Sequence, residues 1–189
     1  MRVTREQAAE NRRRIVEAAA RLFRERGFSG VGVAEIMAAA GLTHGGFYGH
    51  FRSKEDLARV ACRAAIDQAT EGWRQRAAGH PEAPLAALAD AYLTPRHRDA
   101  AGRGCIHAAL TAEVARIDDP ELRHAFTEGL AGLAEVLAEA GPEDAAEARA
   151  AAALVRLSTM VGALVLARAV DDRALSDRIL AAARAAVAA

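Results

Sequence analysis

The chain has 189 residues, 52% hydrophobic and 26% charged, which is enough to bury a substantial core in one or two domains and too apolar for a disordered chain. Its 25 basic and 25 acidic residues cancel, which excludes a protein that coats a polyanion through bulk charge, yet residues 1–60 hold 11 basic against 7 acidic groups and residues 61–189 hold 14 against 18. The most apolar stretch, Met160 to Ala167, is shorter than the roughly 20 residues of a membrane span, and the charged start MRVTREQAAENRRR lacks the apolar core of a secretory signal, so a cytoplasmic protein without a membrane-crossing helix is expected.

Alanine- and arginine-rich usage favours helix, apolar residues recur at helical spacing, and no alternating β-branched run marks a strand, so the expected fold is all-α. The first helix spans about Arg5 to Arg26, with Ile15, Ala19, Leu22 and Phe23 on one face, Arg12, Arg13 and Arg14 outside, and Gly27 as its stop. A second, short helix fits Val33 to Ala40, with Gly32 at its cap, Glu35 near the positive end of its dipole and Gly41 at its end. Thr43 is placed to cap a third short helix through about His50, and Ser53 with Asp56 caps a fourth reaching about Arg76. Beyond the linker 78–84, helices are expected at about Leu85 to Leu93, Cys105 to Arg116, Pro120 to Ala140, Glu143 to Val170 and Leu175 to Ala188, while Arg96 to Arg103 reads as a loop.

Two short helices joined by Ala40-Gly41-Leu42-Thr43 have the size and spacing of a helix-turn-helix, whose second helix enters the DNA major groove. The core of such a unit is present. Val33, Ile36, Leu42, Phe47 and Phe51 would face inward, leaving His44, Gly45 and Tyr48 outward, with His44 and Tyr48 one turn apart.

The run VAEIMAAAGLTHGGFYGHFRSKEDL, residues 33 to 57, resembles the signature of the TetR family of bacterial transcriptional regulators. GRGCIHAALTAEVA (102–115) and MVGALVLARAVDD (160–172) are similar to one branch of it. The resemblance implies a DNA-binding head, residues 1–52, and a helical ligand-binding and dimerisation domain, residues 53–189. It implies a homodimer that binds a palindromic double-stranded operator, usually as a repressor, and that a small organic effector releases. By position, Thr43, His44, Gly45 and Gly46 would sit beside base edges and phosphates, and Tyr48, His50 and Lys54 would hold the DNA backbone. An ammonium and free helix N–H groups could meet a phosphate together at Lys54.

Departures from the family pattern matter too. Gly45, Gly46 and Gly49 weaken the recognition helix by about 1 kcal/mol each relative to alanine, so packing must hold it, while bare glycine backbone can approach DNA closely. Gly32 stands where a hydroxyl is frequent. Without an arginine in that helix, direct readout rests on Thr43, His44 and Tyr48. Arg12 to Arg14 are either a solvated face or phosphate contacts, and His50 is either a DNA contact or a packed ring.

Candidate effector residues are the large or polar groups of the middle helices: Trp73, Tyr92, Cys105, His107, Thr111, Phe126 and Met160. Each has a packing role as its alternative. Cys105 follows Arg103 at a helix start, where a thiol can become redox-reactive, or it is simply a small buried hydrophobe. Cys62, among alanines, reads as structural. Val161, Gly162, Ala163, Leu164, Val165, Leu166, Ile179, Leu180 and Ala183 form small and apolar surfaces suited to a two-fold dimer, or else bury one another within one chain. No phosphate-binding loop, nucleophile elbow, metal-ligand spacing or placed carboxylate pair marks an enzyme, a metal site or a cofactor. A redox regulator acting through Cys105 and a helical interaction protein without DNA binding are the rival readings.

Overall fold

The computed structural model describes residues 4–188; Ala189 and the first three residues of the charged N-terminus lie outside them. Among the described residues the fold is all-helical. Helix α1 (Arg5–Arg26) opens at Thr4, whose side chain accepts from the Gln7 N–H at 3.1 Å, and stops at Gly27, where φ is 75°. Helix α2 (Val33–Ala39) ends in a Schellman turn: the Gly41 N–H donates to the Ala38 carbonyl and the Leu42 N–H to the Met37 carbonyl, both at 2.9 Å. Gly41 carries a φ of 67° there, a conformation that costs an L side chain strain.

The segment after this turn corrects the sequence expectation. His44–Gly49 is a 3₁₀ turn rather than an α-helix, and the Thr43 side chain makes no capping hydrogen bond. Three glycines in six residues leave too little intrinsic preference for an α-helical turn, so the shape follows from Phe47 and Phe51, which are buried with rings 5.9 Å apart. Helix α3 (Lys54–Ala78) then runs 25 residues without a break, capped at Ser53, whose hydroxyl accepts from the Asp56 N–H at 3.2 Å.

Residues 96–103 are not a loop. Helix α4 (Pro84–Tyr92) is followed by α5 (Pro95–Asp99) and a 3₁₀ turn (Ala101–Arg103). Thr94 caps α5 by accepting from the His97 N–H, and Pro95 presets the first turn. Arg98, buried in this helix, bonds Asp99, Ser176 and Asp177. A charged, aperiodic segment is thus ordered by partners on the last helix, information that periodicity does not carry.

Helices α6 (Ile106–Val114), α7 (Pro120–Ala140), α8 (Ala146–Ala169) and α9 (Arg173–Ala188) complete the chain. Helix α8 starts three residues after Glu143, whose carboxylate turns to Arg156, 2.6 Å away. Asp172, accepting from the Ala174 and Leu175 N–H groups, starts α9 earlier than expected.

The interior has two apolar cores. The first gathers Ile15, Phe23, Ile36, Phe47 and Phe51 with Leu57, Ala61 and Ile66 of α3, and extends to Leu110 and Phe126. The second gathers Leu88, Leu133, Leu157, Met160, Leu164 and Leu180. Helix α3 joins them, since Trp73 and Ala77 near its end pack on the second. Helix α8 is long and apolar enough, by length and composition, to cross a membrane, which corrects the expectation that no segment is. In this fold its apolar residues divide between the second core and an exposed outer face.

Phe47 is fully buried, so Phe47→Ala is expected to cost about 3–5 kcal/mol in chemical denaturation. Gly49 lacks a positive φ and has open space around a Cβ, so Gly49→Ala is expected to stabilise the chain by about 0.4–1 kcal/mol in the same measurement.

Candidate nucleic-acid interface and effector cavity

The 3₁₀ turn presents its polar edge outward. Thr43, His44, Gly45, Gly46 and Gly49 are exposed, and Tyr48 is 70% exposed with its ring edge-on to Phe47 at 5.2 Å. The residues expected to read DNA therefore share one open surface, while the residues expected in the core hold it from behind. Ile36 and Phe47 are fully buried, and Val33 and Leu42 pack partly buried against the same core. His50 is half-buried at the end of the turn.

Lys54 is placed differently from the expectation of a free ammonium. Its Nζ donates to the Val31 carbonyl at 3.0 Å, tying α3 to the start of α2 and leaving two N–H donors for a phosphate. The three consecutive arginines of α1 also separate in role. Arg12 stacks on Phe51 at 4.5 Å, Arg13 is paired with Glu10 and Glu17 at 2.8 and 2.9 Å, and Arg14 covers Gly41.

Long-range polar contacts fasten α1 and the turn after it to the middle of the chain. Arg24 Nε of α1 donates to the Gly102 carbonyl at 2.8 Å. Glu113 of α6 accepts from the Phe28 N–H at 2.9 Å. Beyond residue 52, Arg59 of α3 holds the buried Asp119 at 2.9 Å, next to the start of α7. Gly102 lies against the Glu25 side chain with no room for a Cβ, so the 3₁₀ turn of residues 101–103 sits directly on α1.

The other side of that turn borders a cavity of about 850 Å³ between the end of α3, α4 and α5. Trp73 and Tyr92 line it, edge-to-face at 5.6 Å, and Tyr92 stands 4.5 Å from the His97 ring. His97 is the hub of this wall. Its Nε2 accepts from the Cys105 N–H at 2.9 Å, which makes Nδ1 the protonated nitrogen donating to the Tyr92 carbonyl at 2.7 Å. Burial holds the imidazole below its ordinary pKa, and the hydrogen bond to Tyr92 opposes that shift only in part. Arg168 of α8 donates to the carbonyls of His97 and Arg98 at 3.0 and 3.1 Å.

Of the expected effector residues, Trp73 and Tyr92 line the cavity, whereas Cys105, His107, Thr111, Phe126 and Met160 do not. Cys105 is buried behind Tyr92, beside its hydroxyl, and that hydroxyl has no hydrogen-bond partner among the described residues. Burial above all pushes the phenol well above its ordinary pKa. Met160 is fully buried in the second core, and Thr111 is exposed. His107 and Phe126 form an edge-to-face pair at 5.1 Å in the first core. Cys62 is buried there too, its thiol pushed up to about 12 by desolvation.

Of the expected dimer residues, Leu164, Leu180 and Ala183 are buried in this chain's own second core, and Val161 and Ile179 pack on it. Val165, 42% exposed, Leu166, 57% exposed, and Gly162, with open space at its Cβ position, face outward. The same outer face of α8 also carries Leu154 and Val155, each more than half exposed. Sequence reasoning did not single out Leu154 or Val155, nor His97, Arg24 or Glu113; the last two act through partners 78 and 85 positions away in the chain.

A short helix, a tight turn and a second short helical segment with an exposed polar edge, carried on a helical companion, define a helix-turn-helix DNA-binding architecture. Residues 15–61 match the model of the family described as "Bacterial regulatory proteins, tetR family". The HTH-type transcriptional regulator AcrR of Shigella flexneri is 45% identical over 56 residues, 30% of this chain and 26% of that protein. The first relatives thus align over little more than a quarter of their own length. The HTH-type transcriptional repressor NemR of Escherichia coli is 27% identical over 134 residues, 69% of this chain and 67% of its own. In fold, the chain is similar to the reduced form of that protein, with a TM-score of 0.78 at 22% identity over 94% of both chains. It is likewise similar to a TetR transcriptional regulator from Chloroflexus aurantiacus, with a TM-score of 0.76 at 28% identity over 97% of this chain and 94% of that one. The chain thus resembles the TetR family in sequence over residues 15–61 and in its helical fold over nearly its whole length.

His107 supplies a pH test. Its ring is buried with neither nitrogen bonded among the described residues, and burial holds its pKa at about 4, below the ordinary 6.5. The unfolded chain binds this proton first, so the neutral ring's stabilising effect is complete above about pH 6.5 and is lost as pH falls through about 4. The full shift corresponds to about 3 kcal/mol. His107→Leu should flatten the decline in denaturation midpoint between pH 7 and pH 4; an unchanged slope would reject this assignment.

Proposed function

We propose that this chain is a cytoplasmic, ligand-responsive transcriptional regulator without enzymatic activity, a repressor that binds a palindromic operator as a homodimer and leaves it when a small organic molecule occupies the cavity. The observation that supports it most directly is the placement of residues 101–103: one side borders the cavity through Arg103, and the other touches α1 through Gly102. A ligand that needs more room beside Arg103 therefore pushes on a segment hydrogen-bonded to the head.

In this reading Thr43, His44 and Tyr48 read base edges, and the bare backbone of Gly45 and Gly46 lets the turn approach phosphates closely. His50 and Lys54 hold the flanking DNA backbone. Trp73 and Tyr92 receive the effector. Two chains meet through the outer face of α8, where Leu154, Val155, Val165 and Leu166 leave an apolar stripe beside Gly162, a place for close helix approach. A two-fold axis along that stripe sets two recognition segments about one turn of DNA apart. Release is linkage: an effector that favours the DNA-incompatible spacing weakens operator binding by the same coupling free energy, typically about 1–3 kcal/mol.

Fluorescence anisotropy against the DNA upstream of its own gene and a scrambled duplex, at two salt concentrations, tests the regulator. Selective binding that weakens with salt is expected; equal affinity for both duplexes, or for neither, would remove the reading.

Arg24→Ala tests the route. It is expected to leave operator affinity and cavity occupancy within about twofold while reducing effector-driven release roughly tenfold, in line with a coupling of this size. Undiminished release would locate the route elsewhere.

A further inference from the structure

The cavity wall has a charge signature that narrows what can enter. Three guanidinium groups, those of Arg76 on α3, Arg96 on α5 and Arg103 on the 3₁₀ turn, come from three separate elements to line one space. Among the described residues none of them is in an ion pair, whereas Arg98 of the same helix α5 and Arg184, which reaches Asp90 at the cavity edge, each hold a carboxylate. Two acids also border the cavity. Asp90 is engaged by Arg184 at 3.7 Å, which leaves Glu82 as the free one. The lining is therefore net cationic in a chain whose total charge is zero and whose residues beyond 60 are acidic overall.

His97 adds no compensating charge and offers no free ring nitrogen, since one nitrogen donates to Tyr92 and the other accepts from Cys105. The remaining floor is aromatic: Trp73 and Tyr92 present ring surface, with the unpartnered Tyr92 hydroxyl just beneath. Guanidinium forks match a carboxylate's two oxygens and are weakly hydrated, so they surrender water to an anion more readily than an ammonium would. The space is within the range that holds small organic ligands.

Resting on the ligand-responsive reading above, we infer that the cavity binds a small organic anion, a carboxylate carried on a flat apolar body, with Arg76, Arg96 and Arg103 on the charge and Trp73 and Tyr92 on the body. A cationic ligand would face three guanidiniums with one free carboxylate to offset them. A neutral one would leave the arginines without partners.

Trp73 is the only tryptophan and so reports occupancy directly. The full-length protein is titrated with 4-phenylbutyrate, 4-phenylbutyramide and 4-phenylbutylamine, following Trp73 fluorescence and calorimetric heat, with operator release measured in parallel. The carboxylate is expected to bind at least tenfold more tightly than the amide or the amine and to quench Trp73. Arg76→Gln with Arg103→Gln, both exposed positions away from the two cores, is expected to bring the carboxylate down to the amide's affinity while leaving the amide and the helical circular dichroism unchanged. Equal or better binding of amide or amine, or no binding by any of the three, would overturn the inference. Carboxylate-selective binding that never releases the operator would leave the anion site standing and overturn the ligand-responsive reading instead.

Discussion

Everything in this molecule hangs on α3, an unbroken 25-residue helix that belongs to two hydrophobic cores at once. Its first half supplies Leu57, Ala61 and Ile66 to the core that holds the recognition turn, and its last turns carry Trp73 and Ala77 to the core beside the cavity. Backbone hydrogen bonds make such a helix stiff along its axis. Displacement at one end is then felt at the other, and because the interiors it joins are close-packed, small shifts become changes between discrete packings rather than gradual deformation.

The parts of the fold that were legible in the sequence are those governed by local chemistry. Gly27, Gly41, Ser53 and Pro120 mark helix ends by capping, by positive φ or by a missing N–H, and the structure uses each of them as expected. What was not legible depends on distant partners. Residues 96–103 lack periodicity, yet Arg98 is buried because Ser176 and Asp177 wait for it 78 and 79 positions away. The cavity shows the same limit. Trp73 and Tyr92 could be singled out as large side chains on apolar helices, but His97 gains its role only when folding brings the Cys105 N–H to its ring. For α8 the limit was one of register: apolar residues cover most of its circumference, so periodicity could not say which face turns inward.

Charge is organised on a finer scale than the totals suggest. The N-terminal third is basic, but Arg13 is neutralised by Glu10 and Glu17 and Arg12 lies over an aromatic ring. Much of that basic surface is therefore committed to holding α1 and the recognition turn in place, and exposed pairs of this kind contribute little to stability by themselves. The opposite holds at the cavity, where three guanidiniums stand outside any ion pair among the described residues although the surrounding sequence is rich in carboxylates. Where ion pairs are plentiful, unpaired cations gathered on one concave surface carry more information than the net charge of the chain.

The recognition turn shows how function and intrinsic preference can diverge. A segment with glycine at 45, 46 and 49 has little tendency to be helical in isolation, and it is not α-helical in the folded chain either. It keeps its shape because Phe47 and Phe51 anchor it from within, Arg12 covers Phe51, and Lys54 ties the next helix back to Val31. Supported this way, the outer edge is free to omit side chains. At Gly45 and Gly49 the space where a Cβ would stand is open, so the polypeptide itself can come as near to a phosphate as the neighbouring Tyr48 ring permits. The same scaffold residues that make this edge possible also lie in the core shared with α3, which ties the pose of the turn to the far end of the molecule.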